Sequence, residues 1–431
     1  MFSQWAIYFT IVTIVGGIST ARYSDSLVLI KTEKNARIMF MLCLLIGLAF
    51  STLSVFLSPV LWSLGYLTGY GALLIPINVL VFCVHLSCLQ MLVRHRKFSL
   101  YSISILTMSV LPSLFQFLAG QVLGATGTSI IIAGFSGQFI SLSATVKYTG
   151  VHWQRVTLLR LKGIARAHSQ FPKYSMGFAF FSLIRVRALY LIFGAYKDPS
   201  FLGYYAQTDR LLNAPSALLG ASVRPVFFRY AAEVGIHNVE KPLRSIFKSI
   251  LFCGAPIVGV LMFYSDEIIT LILGKQWVSG AWLFKTMLIP SFLLLCTNWL
   301  DRAYDILKLQ KIVFLMECFY GLAGILLGSY LILVLEDPKV AVFVLALLFS
   351  IYYSHWVLFL FKKMGVSTAP ILIYIFSCIG FIFGSFSFLL LVQNAGGSAI
   401  TGLSLLLLLS IVGLYLLLKK DWMSLLSLLR A

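Results

Sequence analysis

The sequence predicts an all-α protein that crosses a membrane about thirteen times. Its 431 residues are 60% hydrophobic and only 11% charged, a composition that soluble proteins do not have. The hydrophobic residues form stretches of roughly 20, the length that a helix needs to cross about 30 Å of hydrocarbon. Lys and Arg collect in every second gap between these stretches, as expected when loops alternate between the two sides of a membrane.

The positive charges divide the gaps into two groups. Twenty-five of the 33 Lys and Arg residues lie in alternate gaps, while the intervening gaps hold only Lys197, Lys275 and Lys339. Because Lys and Arg are retained on the cytoplasmic side, the basic gaps and the C-terminus are predicted to be cytoplasmic. The basic gaps are 22–37, 94–97, 147–173, 229–248, 302–311, 362–363 and 419–430.

The thirteen predicted spans are an odd number, which places the two termini on opposite sides of the membrane. The first residues, starting at Met1, have no positively charged signal to carry them across, so we expect the set to lack a first helix. The basic segment 147–173 and the tail 421–430 are predicted to hold amphipathic surface helices. The spans are about 5–21, 38–62, 72–93, 100–121, 128–146, 174–195, 204–228, 246–265, 283–301, 312–335, 340–361, 368–391 and 400–418.

Composition and spacing argue against several other classes of protein. The net charge of +19 is explained by the loop cations, so we expect membrane lipids and no nucleic acid as partners. The seven Cys residues lie in apolar stretches without a Cys-x-x-Cys pair, and no His, Cys or acidic cluster has metal-ligand spacing. The glycine-rich segment 120–127 is a turn between spans and no phosphate loop. We therefore expect no enzyme, no metal and no cofactor.

Four arginines within the predicted spans are the candidate substrate-binding residues. A charge at mid-membrane costs about 3 kcal/mol or more, so it is retained where it faces a cavity or a partner. Arg185 and Arg187 lie mid-span and point about 200° apart, so we expect one to face a cavity and the other a neighbouring helix. Arg210 and Arg224 lie nearer the ends of the seventh span, where a binding role and snorkelling to the surface are both open.

Acidic residues are rarer within the spans, and Glu317 and Asp209 are the two candidates. A protonatable carboxyl there is suited to couple transport to a proton gradient, and pairing with a buried Arg is an equal alternative. A cavity rich in Arg and poor in acid favours a pyrophosphate headgroup, because Arg binds phosphate bidentately. A cationic drug would instead need exposed carboxylates.

Three ordered motifs resemble those of the polysaccharide and O-antigen flippases in the multidrug/oligosaccharidyl-lipid/polysaccharide exporter superfamily. One combines Gly203, Tyr205, Arg210, Pro215 and Gly220 at the family's spacing. The others are Arg22-Tyr23 followed by Lys31 and Ala36, and Gly274 followed by Trp277. Ser24 stands where the family usually has an acid, and the acid–Arg pair that many members carry late in the seventh helix has no counterpart here.

The resemblance implies a fourteen-helix family fold, here without its first helix, with two helical lobes around a central cavity and two additional C-terminal helices. The implied divisions are a lobe at 1–146, a linker at 147–173, a second lobe at 174–361, and the extra helices with an interfacial tail at 362–431. It also implies alternating access, in which the cavity takes the head of an undecaprenyl-pyrophosphate-linked oligosaccharide on one side and releases it on the other.

The implied location is the bacterial inner membrane, and the implied process is assembly of O-antigen, capsule or exopolysaccharide. A polysaccharide polymerase and a chain-length regulator are the expected protein partners. Two alternatives with the same fold remain open. One is a cation-coupled exporter of small molecules, and the other is a flippase for lipid II.

Overall fold

The computed structural model describes residues 2–63, 69–122, 126–149, 156–194, 196, 199–396 and 404. Every regular element within these ranges is helical. The chain divides into two compact units, Met1–Phe180 and Phe181–Ala431. The finer division into two lobes, a linker and a C-terminal pair stays a prediction.

The first unit contains five long helices and two short ones. Its core lies where α3 and α4 pack together, around Met39, Cys43 and Cys88, and where α4 packs against α1 and α6, around Val12 and Ile75. The helices are α1 (Phe2–Ile18), α2 (Tyr23–Ser26), α3 (Glu33–Ser63), α4 (Gly69–Arg94), α5 (Phe98–Val122), α6 (Gly127–Thr149) and α7 (Leu158–Ala167).

The second unit is built around a core of aromatic and aliphatic residues from α8, α9, α12 and α15, including Phe193, Tyr205, Leu283 and Phe349. A π-helical turn at Phe171–Ser175 leads into α8, which crosses the boundary between the units. The helices are α8 (Met176–Gly194), α9 (Pro199–Val234), α10 (Glu240–Phe263), α11 (Ser265–Leu273), α12 (Ala281–Thr297), α13 (Asp301–Ile306), α14 (Gln310–Ser329), α15 (Pro338–Lys363) and α16 (Thr368–Asn394).

The predicted all-α membrane fold is confirmed. In the ranges given above, nine helices are long and apolar enough to cross a membrane, and α1, α8 and α9 lie at three further predicted spans. The predicted span 283–301 lies within the longer candidate span Lys275–Ile306, in which a 3-10 turn separates α12 from α13. The span 400–418 and the tail 421–430 lie outside the described residues, apart from residue 404.

Two surface segments carry the short helices that their sequences indicate. The amphipathic run predicted in 147–173 contains α7, which begins at Leu158, while its expected start at Trp153 lies outside the described residues. The segment after Ser265 forms the nine-residue helix α11 and then a 3-10 turn. Trp277 in that turn packs edge-on against Tyr204, with ring centroids 5.8 Å apart.

Hydroxyl groups on α3 replace a hydrogen bond that a proline removes from α4. Pro76 has no N–H, so the carbonyl of Ala72, one turn earlier, loses its helical donor. The buried hydroxyl of Ser58 donates to that carbonyl at 2.8 Å, and Ser51 donates to the carbonyl of Pro76 at 2.7 Å. A break in a membrane helix is tolerated when neighbouring groups satisfy the freed backbone in this way.

Close packing of α3 on α4 gives a testable prediction. A Cβ at Gly47 would clash with the side chain of Cys83, whereas a Cβ at Gly17 would meet nothing within 4 Å. Gly47→Ala should lower the free energy of unfolding by about 1–3 kcal/mol, because it overpacks the contact. Thermal unfolding of the purified protein would measure the loss, with Gly17→Ala as the matched control. Equal melting temperatures for the two variants would contradict this packing.

Candidate functional site

A buried ion pair joins α8 to α14 in the second unit. The Nε of Arg185 donates to Oε1 of Glu317 at 2.8 Å, and the Glu317 side chain is only 1% exposed. The other carboxylate oxygen accepts a hydrogen bond of 2.7 Å from the hydroxyl of Tyr352 on α15. Both oxygens of Glu317 are therefore occupied, and three helices meet at one carboxylate.

Aromatic rings complete the surroundings of the Arg185 guanidinium. Its central carbon lies 5.1 Å from the centroid of the Phe349 ring and 6.0 Å from that of Tyr352. Arg is suited to such a site, since its planar cation stacks on ring faces and is weakly hydrated. The side chain of Arg185 is thus held by protein groups and is 12% exposed.

The second carboxylate of the site belongs to Asp209 on α9. Its Oδ2 accepts a 2.8 Å hydrogen bond from the hydroxyl of Tyr190, and its Oδ1 accepts a 2.6 Å bond from the amide of Asn213. Tyr190 also packs edge-on against Tyr205, with ring centroids 5.3 Å apart. Asp209 therefore fastens α9 to α8 through neutral hydrogen-bond donors.

Arg210, the next residue along α9, has a different environment. Its side chain is exposed, and it makes no hydrogen bond or ion pair with any residue that the structure describes. The helix starts at Pro199 rather than at the predicted residue 204. Arg210 thus lies about 16 Å along the helix axis from Pro199, well inside α9.

Arg224 is held near the C-terminal end of α12. Its Nη2 donates to the backbone and side-chain oxygens of Asn298, at 3.0 and 2.6 Å, and its Nε lies 3.0 Å from a carboxylate oxygen of Asp301. The amide of Asn298 in turn donates to the hydroxyl of Ser216, about two turns before Arg224 on α9, at 3.1 Å. These bonds fix α9 against the turn between α12 and α13.

The four candidate arginines therefore divide in the structure. Arg185 and Arg224 each have a carboxylate partner, and Arg210 has none in the described ranges. The side chain of Arg187 lies outside the described residues. The sequence left two roles open for Glu317, proton coupling and pairing with a buried arginine, and the structure contains the pair and identifies the arginine as Arg185.

The first unit contains a cavity of about 340 Å³ that has no charged residue among its lining side chains. Polar groups from Ser109, Ser113, Gln116 and Gln138 line it, together with aromatic rings that include Phe135. Gln138 is 6% exposed, and its side-chain oxygen is buried without a hydrogen-bond partner. Because buried amide groups normally form hydrogen bonds, this oxygen can accept one from a bound ligand. Gln138 was not among the residues predicted from the sequence, although a polar Gln within a hydrophobic stretch indicates a possible polar site.

Comparison with protein families decides the family of the chain. Residues 2–281 match the family described as polysaccharide biosynthesis protein. The chain belongs to that family. No curated protein matches the sequence.

Solved structures show the same fold at low sequence identity. The lipid II flippase MurJ, in an inward closed conformation, superposes with a TM-score of 0.61 at 16% identity, covering 99% of this chain and 92% of its own. MATE in complex with MaD5 gives a TM-score of 0.65 at 9% identity, covering 84% and 87%. The Vibrio cholerae MATE transporter VcmN, in the bent form, gives 0.52 at 14% identity, covering 85% and 87%.

These matches confirm the resemblance drawn from the sequence motifs. The chain has the multi-pass helical fold of these proteins. The structural neighbours themselves are a lipid II flippase and MATE proteins.

The buried pair predicts a strong coupling between Arg185 and Glu317. Glu317→Leu leaves a buried guanidinium without its counter-charge, and Arg185→Met leaves a buried carboxylate without its own, so each single variant should be less stable by about 3–5 kcal/mol. The double variant Arg185→Met/Glu317→Leu should lose much less, because no uncompensated charge remains. A double-mutant cycle on thermal unfolding would measure this coupling, with exposed Arg210→Ala as a control. Additive losses for the two single variants would show that the pair is not coupled.

Proposed function

We propose that the protein is a flippase for an undecaprenyl-pyrophosphate-linked oligosaccharide repeat unit. It translocates this lipid across the bacterial inner membrane by alternating access, for assembly of O-antigen, capsule or exopolysaccharide. Its C-terminus is cytoplasmic, and a polysaccharide polymerase and a chain-length regulator act with it. The observation that carries the proposal is the combination of a polysaccharide biosynthesis sequence with a flippase and exporter fold.

Arg210 is the best candidate to contact the pyrophosphate. A guanidinium in the middle of a membrane span is costly unless it faces water, a partner or a ligand. No described residue supplies a partner, and the side chain is exposed. A lipid-borne pyrophosphate supplies oxygens in the bidentate geometry that Arg binds best. Arg210 therefore binds the headgroup as it passes.

The paired arginines have a supporting role in this proposal. Arg185 and Arg224 keep the helices of the second unit together through Glu317 and Asp301. Each can bind substrate only by sharing its guanidinium with the carboxylate that already holds it. Arg187 stays a candidate for headgroup contact.

The cavity of the first unit fits the sugar portion of the substrate. Amide and hydroxyl groups without charge match sugar hydroxyls, which both donate and accept hydrogen bonds. The unpartnered oxygen of Gln138 accepts such a donor, and the volume of about 340 Å³ is ample for a sugar ring.

The environments of the Glu317 and Asp209 carboxylates argue against the alternative of a cation-coupled drug exporter. Glu317 is engaged by Arg185 and Tyr352, and Asp209 is engaged by Tyr190 and Asn213, so neither offers an unoccupied anion to a cationic drug. The alternative of a lipid II flippase is separated by phenotype. A deletion strain that grows but lacks surface glycan supports the proposal, whereas arrest of growth supports lipid II as the substrate.

Removing the unpaired charge should stop glycan export without unfolding the protein. Arg210→Ala is expected to abolish surface glycan at an unchanged protein level in the membrane, because the headgroup loses its counter-charge. Arg210→Lys should retain part of the export if charge alone matters. Surface glycan would be measured by immunoblot, with Lys339→Ala, which removes an exposed cation near the start of α15, as the control. Full surface glycan in Arg210→Ala would reject the assignment.

A substitution in the first unit should slow translocation of the sugar-bearing lipid but not of the lipid that carries only the pyrophosphate headgroup. Gln138→Leu removes the buried acceptor, so translocation of the glycan-bearing lipid is expected to slow about tenfold, the loss of one hydrogen bond to a buried polar group. Translocation of undecaprenyl pyrophosphate without sugar should be unchanged. Both rates are measured in proteoliposomes by accessibility of the headgroup from outside. If translocation of both lipids slowed equally, Gln138 would support the folded structure and not contact the sugar.

A further inference from the structure

A basic pocket of about 550 Å³ lies in the first unit, between α7 and the start of α3. It is lined by eleven residues, none of them acidic, and its polar groups come from Lys31, Lys34, Asn35, Arg160 and His168. The proposed transport does not use this pocket, and none of the site residues described above lies in it.

The three strong cations of the basic pocket are not neutralised by the nearest acid. Glu33 is already surrounded by Arg94, Arg37 and His95, at 3.2, 3.6 and 3.8 Å. In the part of the chain that the structure describes, the side chains of Lys31, Lys34 and Arg160 form no hydrogen bond or ion pair. Three like charges are thus held around one concave space, where an anion would relieve their repulsion.

Hydrogen bonds hold the walls of the basic pocket in place. The guanidinium of Arg94, at the end of α4, donates to the carbonyls of Leu27, Ile30 and Lys31 and fixes the segment before α3. The hydroxyl of Tyr23 donates to the carbonyl of Ala165 at 3.1 Å and ties α7 to the same segment. The cations are therefore presented by an ordered loop and helix.

An apolar pocket of about 520 Å³ is lined by residues of α3, α4, α6 and α7 and so shares two helices with the basic pocket. Phe40, Met41 and Leu44 of α3 line it, about two to three turns beyond Lys34, and Leu161 of α7 lines it next to Arg160. Thr149 is the one polar side chain among its lining residues. The basic pocket and the apolar pocket therefore both contact α3 and α7.

Helix α7 has the character of a helix that lies in a membrane surface. Leu158 and Leu159 are 67% and 83% exposed, while Arg160, Lys162 and Arg166 follow within two turns. Exposed leucines beside cations are typical of interfacial amphipathic helices, which insert their apolar residues at the boundary of headgroups and acyl chains. A lipid headgroup is therefore at the right depth to enter the basic pocket.

We propose that a phosphate-bearing membrane lipid binds here, with its phosphate in the basic pocket and a hydrocarbon chain in the apolar pocket. Basic pockets on the cytoplasmic side of membrane proteins bind anionic headgroups, and Arg with Lys supplies both fork-shaped and point-like donors for phosphate. The phosphate belongs either to an anionic phospholipid or to a polyprenyl pyrophosphate lipid. Such a lipid fastens α7 to α3.

The test compares two double variants of the full-length protein in neutral detergent. Lys34→Gln/Arg160→Gln removes two cations of the basic pocket. Lys162→Gln/Arg166→Gln removes two exposed cations of the same helix that do not line it. Binding is measured for phosphatidylglycerol, undecaprenyl pyrophosphate and inorganic pyrophosphate. The pocket variant should bind a phosphate-bearing lipid about thirtyfold more weakly than wild type, and the control variant should differ by less than about twofold.

The outcomes separate the sources of the phosphate. Weakened binding of phosphatidylglycerol supports the site with a bulk lipid as its occupant, and weakening confined to undecaprenyl pyrophosphate supports it with a polyprenyl lipid. Equal weakening in both variants would overturn the proposal, since it would reflect diffuse surface charge. Unweakened lipid binding in the pocket variant, or inorganic pyrophosphate binding as tightly as the lipids, would overturn it too. None of these results bears on whether Arg210 takes part in transport.

Discussion

The structure of the second unit depends on neutralising charge in a medium that does not solvate it. Arg185 and Glu317 meet at 2.8 Å, and a Tyr352 hydroxyl takes the remaining carboxylate oxygen. Each ion alone would be expensive in hydrocarbon, and together they leave little uncompensated charge. Because the partners come from α8, α14 and α15, satisfying this one carboxylate also fixes the packing of three helices. Neutral donors from Tyr190 and Asn213 satisfy Asp209 in the same unit, and the oxygens of Asn298 accept from Arg224.

Arg210 is the arginine that does not follow this pattern of charge neutralisation, and we propose that it contacts the substrate. Arg210 and Asp209 are neighbours on α9, yet the acid is bound by Tyr190 and Asn213, and the arginine is exposed without a partner in the described ranges. Arg185 and Arg224 both have a carboxylate partner, so the unpaired charge of Arg210 calls for a separate explanation. We propose that a passing anion supplies the missing counter-charge. The uncharged cavity around Gln138 in the first unit has a lining that suits sugar hydroxyls rather than phosphates.

The sequence was sufficient for the fold because the relevant signals are local. Stretches of roughly 20 apolar residues between alternately basic gaps predicted helices that the structure contains, from α1 to α16. The family motif around Gly203 and Arg210 pointed to the family that the profile match shows. Errors fell at helix ends, as at α9, which begins at Pro199 rather than at the predicted residue 204, because a proline is tolerated in the first turn of a helix.

The site was less predictable because its partners are distant in sequence. Arg185 and Glu317 are 132 residues apart, and α8 is apolar on all sides, so no hydrophobic face indicated which arginine would point inward. The sequence therefore indicated which residue types form the site but not which residues pair with each other.

The most direct test of the account is the accessibility of position 210. In a protein with Cys253 and Cys318 replaced by Ser, Arg210→Cys should react with a water-soluble thiol reagent, and undecaprenyl pyrophosphate should protect it. A cysteine there that does not react, or that reacts equally with the lipid present, would contradict the account.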